Sequence, residues 1–124
     1  MYNKKFYINR ENGTLIEVIN PNENTALCGA LEELVPNTVE ASGEKHVPAV
    51  TVENGKVIVN VGTVDHPMLE EHFIEWVQVE TEQGSQRKHL KPGAAPHVTF
   101  ELGDDKAIAV YAYCNLHGLW KTDL

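Results

Sequence analysis

The stretch V-T-V-E-N-G-K-V-I-V-N-V, residues 50–61, predicts the fold of this chain more strongly than any other segment. Val57, Val59 and Val61 recur at every second position, so they point to one face of a strand. Asn54-Gly55 lies between the two apolar runs, and these two residue types favour the type I′ turn, which needs a positive φ at both central positions. The stretch therefore predicts a β-hairpin with one buried face.

Further segments of the chain share the β-branched and aromatic alternation of this hairpin. The predicted strands are 14–19, 72–80, 85–90, 97–102 and 106–113. Asn12-Gly13 precedes the first of them, and Gly103-Asp104-Asp105 joins the last two. Six or seven short strands separated by turns are typical of an antiparallel β-sandwich.

The N-terminal third has a weaker pattern. Its only helix candidate is A-L-E-E-L, residues 30–34, which Pro36 would end, and residues 21–29 are typical of a loop. We therefore predict a small N-terminal lobe over residues 1–36 and a sandwich domain over residues 37–124. Such a lobe is too short to hold a core without a metal, a disulfide or a partner.

Composition excludes several classes of function. The formal net charge of −8 argues against a nucleic-acid partner, which selects basic surfaces. No apolar run approaches the roughly 20 residues that cross a bilayer, and the N-terminus lacks the pattern of a secretion signal. Two cysteines, Cys28 and Cys114, are too few for a disulfide framework. These features favour a cytoplasmic protein with free or metal-bound thiols.

Four of the six histidines lie at strand ends or in loops, where a sandwich can gather side chains into a site. They are His46, His66, His72 and His117, and the last follows Cys114 in the stretch C-N-L-H-G-L-W. A single histidine is most often a surface or hydrogen-bonded residue, and a lone cysteine a small buried apolar one. The combination is less easily explained in that way. We interpret His89, which lies in a basic segment, and His97, which begins a strand, as non-ligands.

Five candidate ligands favour a particular metal. Structural zinc takes four ligands and is usually richer in cysteine. Electron-carrier copper sites add a weak axial methionine, and no methionine follows Cys114. Nitrogen-rich ligation with a single thiolate leaves an octahedral iron one open position, so iron is favoured.

Several motifs together resemble one known family. E-K-H-V-P (44–48), H-P-M (66–68), H-F-I-E-W (72–76), L-K-P-G (90–93) and Y-C-N-L-H-G-L-W-K (113–121) are similar to those of the superoxide reductases, which include desulfoferrodoxin and neelaredoxin. The similarity runs from about Asn37 to Lys121.

This resemblance implies an immunoglobulin-like β-sandwich with one mononuclear non-haem iron. It makes Cys114 the axial ligand and makes the equatorial ligands His46, His66, His72 and His117. Glu44 matches a glutamate that can take the sixth position in the oxidised state. Lys45 matches a lysine that attracts superoxide and organises protons or water. The implied reaction reduces superoxide with one electron and two protons to hydrogen peroxide.

Elementary chemistry agrees with these implied roles. An axial thiolate pushes electron density onto the metal, which favours electron transfer to the substrate. Backbone N–H groups of Leu116 and His117 are expected to hydrogen-bond the sulfur and tune that push. Lys45 would supply the local positive charge that a small anion needs near a protein of net charge −8.

The N-terminal lobe departs from the two-iron members of the family, which bind a second iron through four cysteines. Here Asn9 and Asn12 stand at the places of the first cysteine pair, and only Cys28 remains of the second pair. One thiolate cannot hold a tetrathiolate iron, so we expect one iron per chain.

The resemblance also implies partners, namely a small redox donor such as rubredoxin and a second copy of the chain in a homodimer. Two other functions stay open on the sequence alone. One is a metal-containing electron-transfer protein that binds no substrate, and the other is a sandwich module with structural zinc.

Overall fold

The computed structural model describes residues 4–20 and 31–124, and the chain divides into two compact units, Met1–Val35 and Pro36–Leu124. The first unit holds a three-stranded antiparallel sheet in the order β2-β1-β3. Its strands are β1 (Lys5–Asn9), β2 (Thr14–Val18) and β3 (Leu31–Leu34). Cys28 and the loop predicted over residues 21–29 lie outside the described residues.

The predicted helix at residues 30–34 is wrong for the residues described, because Leu31–Leu34 form a strand. Strand β3 pairs with β1, with Leu34 opposite Phe6. An isolated helical turn leaves most of its backbone groups without partners, whereas pairing with β1 gives the segment inter-strand hydrogen bonds. Phe6, Ile8 and Leu34 are buried.

The second unit is an antiparallel β-sandwich, which confirms the predicted all-β fold. One sheet has four strands in the order β10-β9-β6-β7, and the other has three in the order β4-β5-β8. Their bounds are β4 (Pro48–Glu53), β5 (Lys56–Val61), β6 (Ile74–Thr81), β7 (Ser85–His89), β8 (His97–Glu101), β9 (Ala107–Cys114) and β10 (Gly118–Asp123). A one-turn helix, α1 (Gly43–His46), precedes β4.

The hairpin predicted over residues 50–61 is confirmed. Strands β4 and β5 pair with Glu53 opposite Lys56, and Asn54 and Gly55 have φ angles of 50° and 73°. Val57, Val59 and Val61 are completely buried in the core between the two sheets. The remaining core residues come from β6, β8 and β9 and include Ile74, Val77, Val79, Val98, Phe100, Val110, Ala112 and Cys114.

Strand pairing joins four element ends in two pairs, one in each sheet of the sandwich. Ile74, which begins β6, lies opposite Cys114, which ends β9. Pro48, which begins β4, lies opposite Val61, which ends β5. The segments that continue from these four positions carry the candidate ligands. No helix among residues 4–20 and 31–124 is long and apolar enough to span a membrane.

Candidate metal centre

Five of the predicted site residues converge at one place in the second unit. One nitrogen from each of His46, His66, His72 and His117, and the sulfur of Cys114, all lie within 4.8 Å of one another. His46, His66 and Cys114 are buried, and the other two are half-buried. Residues separated by up to 71 positions in the chain therefore form one compact group of metal-ligating atoms.

Helix α1 reaches this group because its backbone packs closely against the end of β5. A Cβ on Gly62 would lie 2.6 Å from the carbonyl oxygen of Glu44, so only glycine fits there. The N–H of Val64 donates to the same carbonyl over 2.9 Å. These contacts hold the turn that ends at His46 beside the loop that carries His66.

The rings of His46 and His66 have defined tautomers. Nδ1 of His46 lies 2.6 Å from the carbonyl oxygen of Ser42, and Nδ1 of His66 lies 2.6 Å from that of Pro67. A carbonyl oxygen can only accept, so each Nδ1 carries the proton and each Nε2 has a free lone pair. The two Nε2 atoms are 3.1 Å apart. Two lone pairs at this distance repel each other unless a cation lies between or beside them.

The other two histidines add to this surplus of acceptors. Nδ1 of His117 lies 3.1 Å from Nε2 of His46. Nε2 of His72 is buried and has no hydrogen-bond partner among the described residues. An orphaned buried nitrogen costs free energy that coordination to a metal would recover. The donor set therefore fits a transition-metal ion.

Cys114 supplies the sulfur of the group. Its side chain is fully buried, and burial raises the pKa of its thiol. Hydrogen bonds from the backbone N–H groups of His117 and Leu116 act in the opposite sense and lower that pKa. This is the pair of donors that the sequence predicted. They favour the thiolate form of the sulfur.

Burial keeps the imidazoles of His46, His66 and His72 neutral. It lowers the pKa of His66 to about 4, against the opposing effect of the hydrogen bond to Pro67. Burial likewise lowers the pKa of His46 and of His72, and the positive charge of Lys45 lowers both further. At neutral pH these rings therefore present lone pairs rather than protons, as metal ligation requires.

The two histidines interpreted as non-ligands lie outside the group. His97 begins β8, and its Nε2 is 2.9 Å from a carboxylate oxygen of Asp65. His89 ends β7 and is exposed. Glu44 and Lys45 lie on α1 directly before His46, with Glu44 exposed and Lys45 half-buried. The carboxylate of Glu44 is not part of the five-residue group.

Two residues of the C-N-L-H-G-L-W stretch also contact the site, and sequence reasoning missed both. Trp120 lies against the ring of His46, with centroids 4.8 Å apart, and its indole N–H donates to the carbonyl oxygen of His117 over 3.1 Å. Asn115 bonds the backbone on either side of His72. Their signal was their place within or beside the Cys-x-x-His motif.

Comparison with known proteins identifies the family. The desulfoferrodoxin family model matches residues 38–123. This chain belongs to the desulfoferrodoxin family. It is 38% identical to a desulfoferrodoxin of Clostridium acetobutylicum over 120 residues, which cover 95% of this chain and 94% of that protein.

Proteins named superoxide reductase are also similar to this desulfoferrodoxin family member. One from Thermococcus kodakarensis is 35% identical over 100 residues, covering 66% of this chain and 87% of that protein. The crystal structure of the superoxide reductase from Treponema pallidum matches with a TM-score of 0.80 and 38% identity, over 98% of this chain and all of that one. The resemblance predicted from the sequence is therefore confirmed.

Proposed function

We propose that this chain is a superoxide reductase, which converts superoxide, one electron and two protons to hydrogen peroxide. The observation that carries the proposal is the convergence of four histidine nitrogens and one cysteine sulfur within 4.8 Å. Its membership of a family whose members include named superoxide reductases supports the same activity.

The five residues would hold one iron, with Cys114 as the sulfur ligand. The residues that would hold the iron are His46, His66, His72, His117 and Cys114, and a substrate would need one further position on the metal. Iron supplies the one-electron Fe²⁺/Fe³⁺ couple. The thiolate of Cys114 would enrich the bound metal in electron density, and the N–H groups of Leu116 and His117, which bond the sulfur, would moderate that effect.

Lys45 would attract the substrate. Its positive charge lowers the pKa of both His46 and His72, so the ammonium group acts electrostatically on the site. The net charge of −8 repels an anion at long range, but a lysine within a Debye length of about 8 Å can dominate locally. The same ammonium group can orient water that delivers the two protons.

Glu44 is proposed to be the reversible sixth ligand of the oxidised site. It neighbours Lys45 on α1 and is exposed. Because its carboxylate lies outside the five-residue group, this role requires the carboxylate to move toward that group. An exposed carboxylate that moves back away from the metal would keep the sixth position accessible to substrate.

The electron would come from a small redox protein such as rubredoxin. Leu69, Leu116 and Val64 are 55%, 59% and 46% exposed, and each belongs to a loop that carries a candidate ligand. Exposed apolar side chains around a metal suit the small interfaces of transient redox encounters. Stopped-flow reduction of the ferric protein by reduced rubredoxin tests this donor, and sedimentation velocity tests the proposed homodimer.

The activity is tested by mixing the ferrous protein with pulse-generated superoxide and counting the hydrogen peroxide formed. A reductase yields one peroxide per superoxide, whereas dismutation yields one per two, and an electron carrier does not speed superoxide decay. Wild type is expected to give the first result, and its oxidised form to be blue. Cys114→Ser is expected to lose the blue absorption, because the sulfur-to-iron charge transfer is gone.

Lys45→Ala is expected to lower the second-order rate for superoxide about tenfold. Lys56→Ala is the matched control, since it removes one exposed lysine that pairs with Glu101 on β8. Equal rates for these two variants would contradict the role of Lys45. A peroxide yield of one per two superoxides, or no acceleration, would contradict the reductase itself.

A further inference from the structure

The four candidate imidazoles are held in different ways. Those of His46 and His66 are fixed directly, because each ring donates its Nδ1–H to a backbone carbonyl over 2.6 Å. The ring of His72 has no such bond in the part of the chain that the structure describes, and its buried Nε2 has no partner. Its position therefore depends on its backbone and on packing against the rings of His66 and His117.

The backbone at His72 is held from both sides by one side chain. The N–H of Phe73 donates to Oδ1 of Asn115 over 2.9 Å, and Nδ2 of Asn115 donates to the carbonyl oxygen of Glu71 over 3.0 Å. The backbone N–H of Asn115 also donates to the carbonyl oxygen of Phe73 over 3.2 Å. Three hydrogen bonds thus join Asn115 to the residues immediately before and after His72.

We propose that Asn115 is the positioning residue of His72, because its amide brackets that histidine and ties it to the turn that carries Cys114 and His117. The asparagine amide offers an acceptor to one backbone group and a donor to another two residues away. The asparagine that directly follows Cys114 therefore has a specific role in the Cys-x-x-His motif. It fixes the imidazole of His72 relative to the sulfur of Cys114.

Strand pairing places Ile74 opposite Cys114, and Asn115 adds the hydrogen bonds to the residues on either side of His72. Leu69 and His72 exchange two backbone hydrogen bonds of 2.9 and 3.1 Å, which close a tight turn. The N–H of Ile74 points to the sulfur of Met68 at 3.4 Å, a weak acceptor. These bonds shape the segment internally. The amide of Asn115 connects it to the turn that carries Cys114 and His117.

The inference rests on the proposed metal site but not on superoxide chemistry, so we test it by cobalt(II) binding. Cobalt affinity is measured by competition with a chelator for wild type, Asn115→Ala, His72→Ala and the double variant. Loss of an outer partner of a metal ligand typically weakens metal binding 10- to 100-fold, and we expect this range for Asn115→Ala. In the His72→Ala background the same change is expected to cost less than about threefold, because the residue it positions is gone.

Asn37→Ala is the matched control. The amide of Asn37 also bonds one backbone N–H and one backbone carbonyl, both of Lys121, over 2.8 and 3.0 Å. It brackets no candidate ligand, and its φ of 63° makes alanine strained there. Asn37→Ala therefore destabilises the fold at least as much as Asn115→Ala, yet we expect its cobalt affinity to stay within about twofold of wild type.

The spectrum of the cobalt protein gives a second measurement. The paramagnetically shifted N–H signal that disappears in His72→Ala is expected to move or broaden in Asn115→Ala, while those of His46 and His66 stay in place. The proposal would be overturned if Asn115→Ala reduced cobalt affinity equally in the wild-type and His72→Ala backgrounds. It would also be overturned if Asn115→Ala left the cobalt affinity of the wild-type background unchanged. If Asn115→Ala does not fold, Asn115→Asp replaces it, since it keeps the acceptor for Phe73 and loses the donor to Glu71. Unchanged cobalt affinity in that variant would overturn the proposal equally.

Discussion

Two turns of this chain share an asparagine and a left-handed glycine and have different consequences. The β1–β2 turn runs from Asn9 to Thr14, and the β9–β10 turn runs from Cys114 to Gly118. Each joins two antiparallel strands, each contains asparagine, and each has a glycine in the left-handed region. The φ angles are 75° at Gly13 and 77° at Gly118.

The turns differ in where their polar groups find partners. In the first, Asn9 and Asn12 accept from the N–H groups of Glu11 and Thr14, each two residues away. In the second, Asn115 bonds residues 42 and 44 positions away, and Cys114 and His117 point into the metal group. A turn whose polar side chains bond only their own backbone does no more than reverse the direction of the chain. A turn that bonds distant segments can assemble a site.

The largest expected difference between the two units is their response to acid in the metal-free protein. All six histidines lie in the second unit, and burial lowers the pKa of His66 to about 4. At acid pH the unfolded chain therefore binds a proton on this ring that the folded chain does not bind. The contribution of His66 to the free energy of unfolding is complete above the unfolded pKa of about 6.5 and is lost as the pH falls toward 4. Between about pH 7.5 and pH 5, we expect His66 alone to cost about 2 kcal/mol.

Hydrogen exchange of backbone amides at the two pH values measures this difference unit by unit. Strands β5 and β9 are expected to lose protection at the lower pH. Strand β1 is expected to keep it, because the first unit has no histidine and hydrogen bonding to Arg10 lowers the pKa of Glu32 there, so that this carboxyl stays ionised at pH 5. Glu75 opposes the trend, since burial raises its pKa. His66→Gln isolates the share of His66. An equal loss of protection in wild type and in this variant would contradict the assignment.

Much of the fold follows from local rules that the sequence displays. The hairpin over residues 50–61 was predictable because its turn residues and its alternation of valines agree. Strand β10, G-L-W-K-T-D, has no such alternation and forms because it pairs with β9 from Cys114 to Ala109. Strand β3 is similar, since its pairing with β1 overrides a helix-like composition.

The candidate site was predictable to a different extent. Its five converging residues followed from a family motif, because strand-end positions alone do not say which ends of a sandwich meet. The place of Asn115 in the motif marked it, but its bonds could not be predicted, since its partners are separated from it by 42 and 44 residues. Whether a polar side chain bonds its own turn or a distant loop depends on tertiary structure.

A matched pair of glycine substitutions separates turn strain from site geometry. Gly13→Ala and Gly118→Ala place alanine at nearly the same positive φ, which costs about 1–2 kcal/mol each. Both positions have space, because a Cβ on Gly118 would meet Val39 at 3.7 Å and one on Gly13 would meet nothing within 4 Å. Thermal unfolding should report similar losses of stability. Only Gly118→Ala should also weaken cobalt binding, since Gly118 directly follows His117, and equal affinities in the two variants would contradict the comparison.

The smallest expected effect is that of Asn12→Ala in the first turn. It removes one exposed hydrogen bond to the N–H of Thr14, which is worth about 0.5–1.5 kcal/mol. Iron content should stay at one ion per chain and cobalt affinity at the wild-type value, because the side-chain oxygen of Asn12 already bonds within its own turn. Metal analysis of the purified variant beside wild type checks this. A fall in bound iron would mean that the first turn still takes part in metal binding despite having asparagine at both cysteine positions, and the contrast between the two turns would then fail.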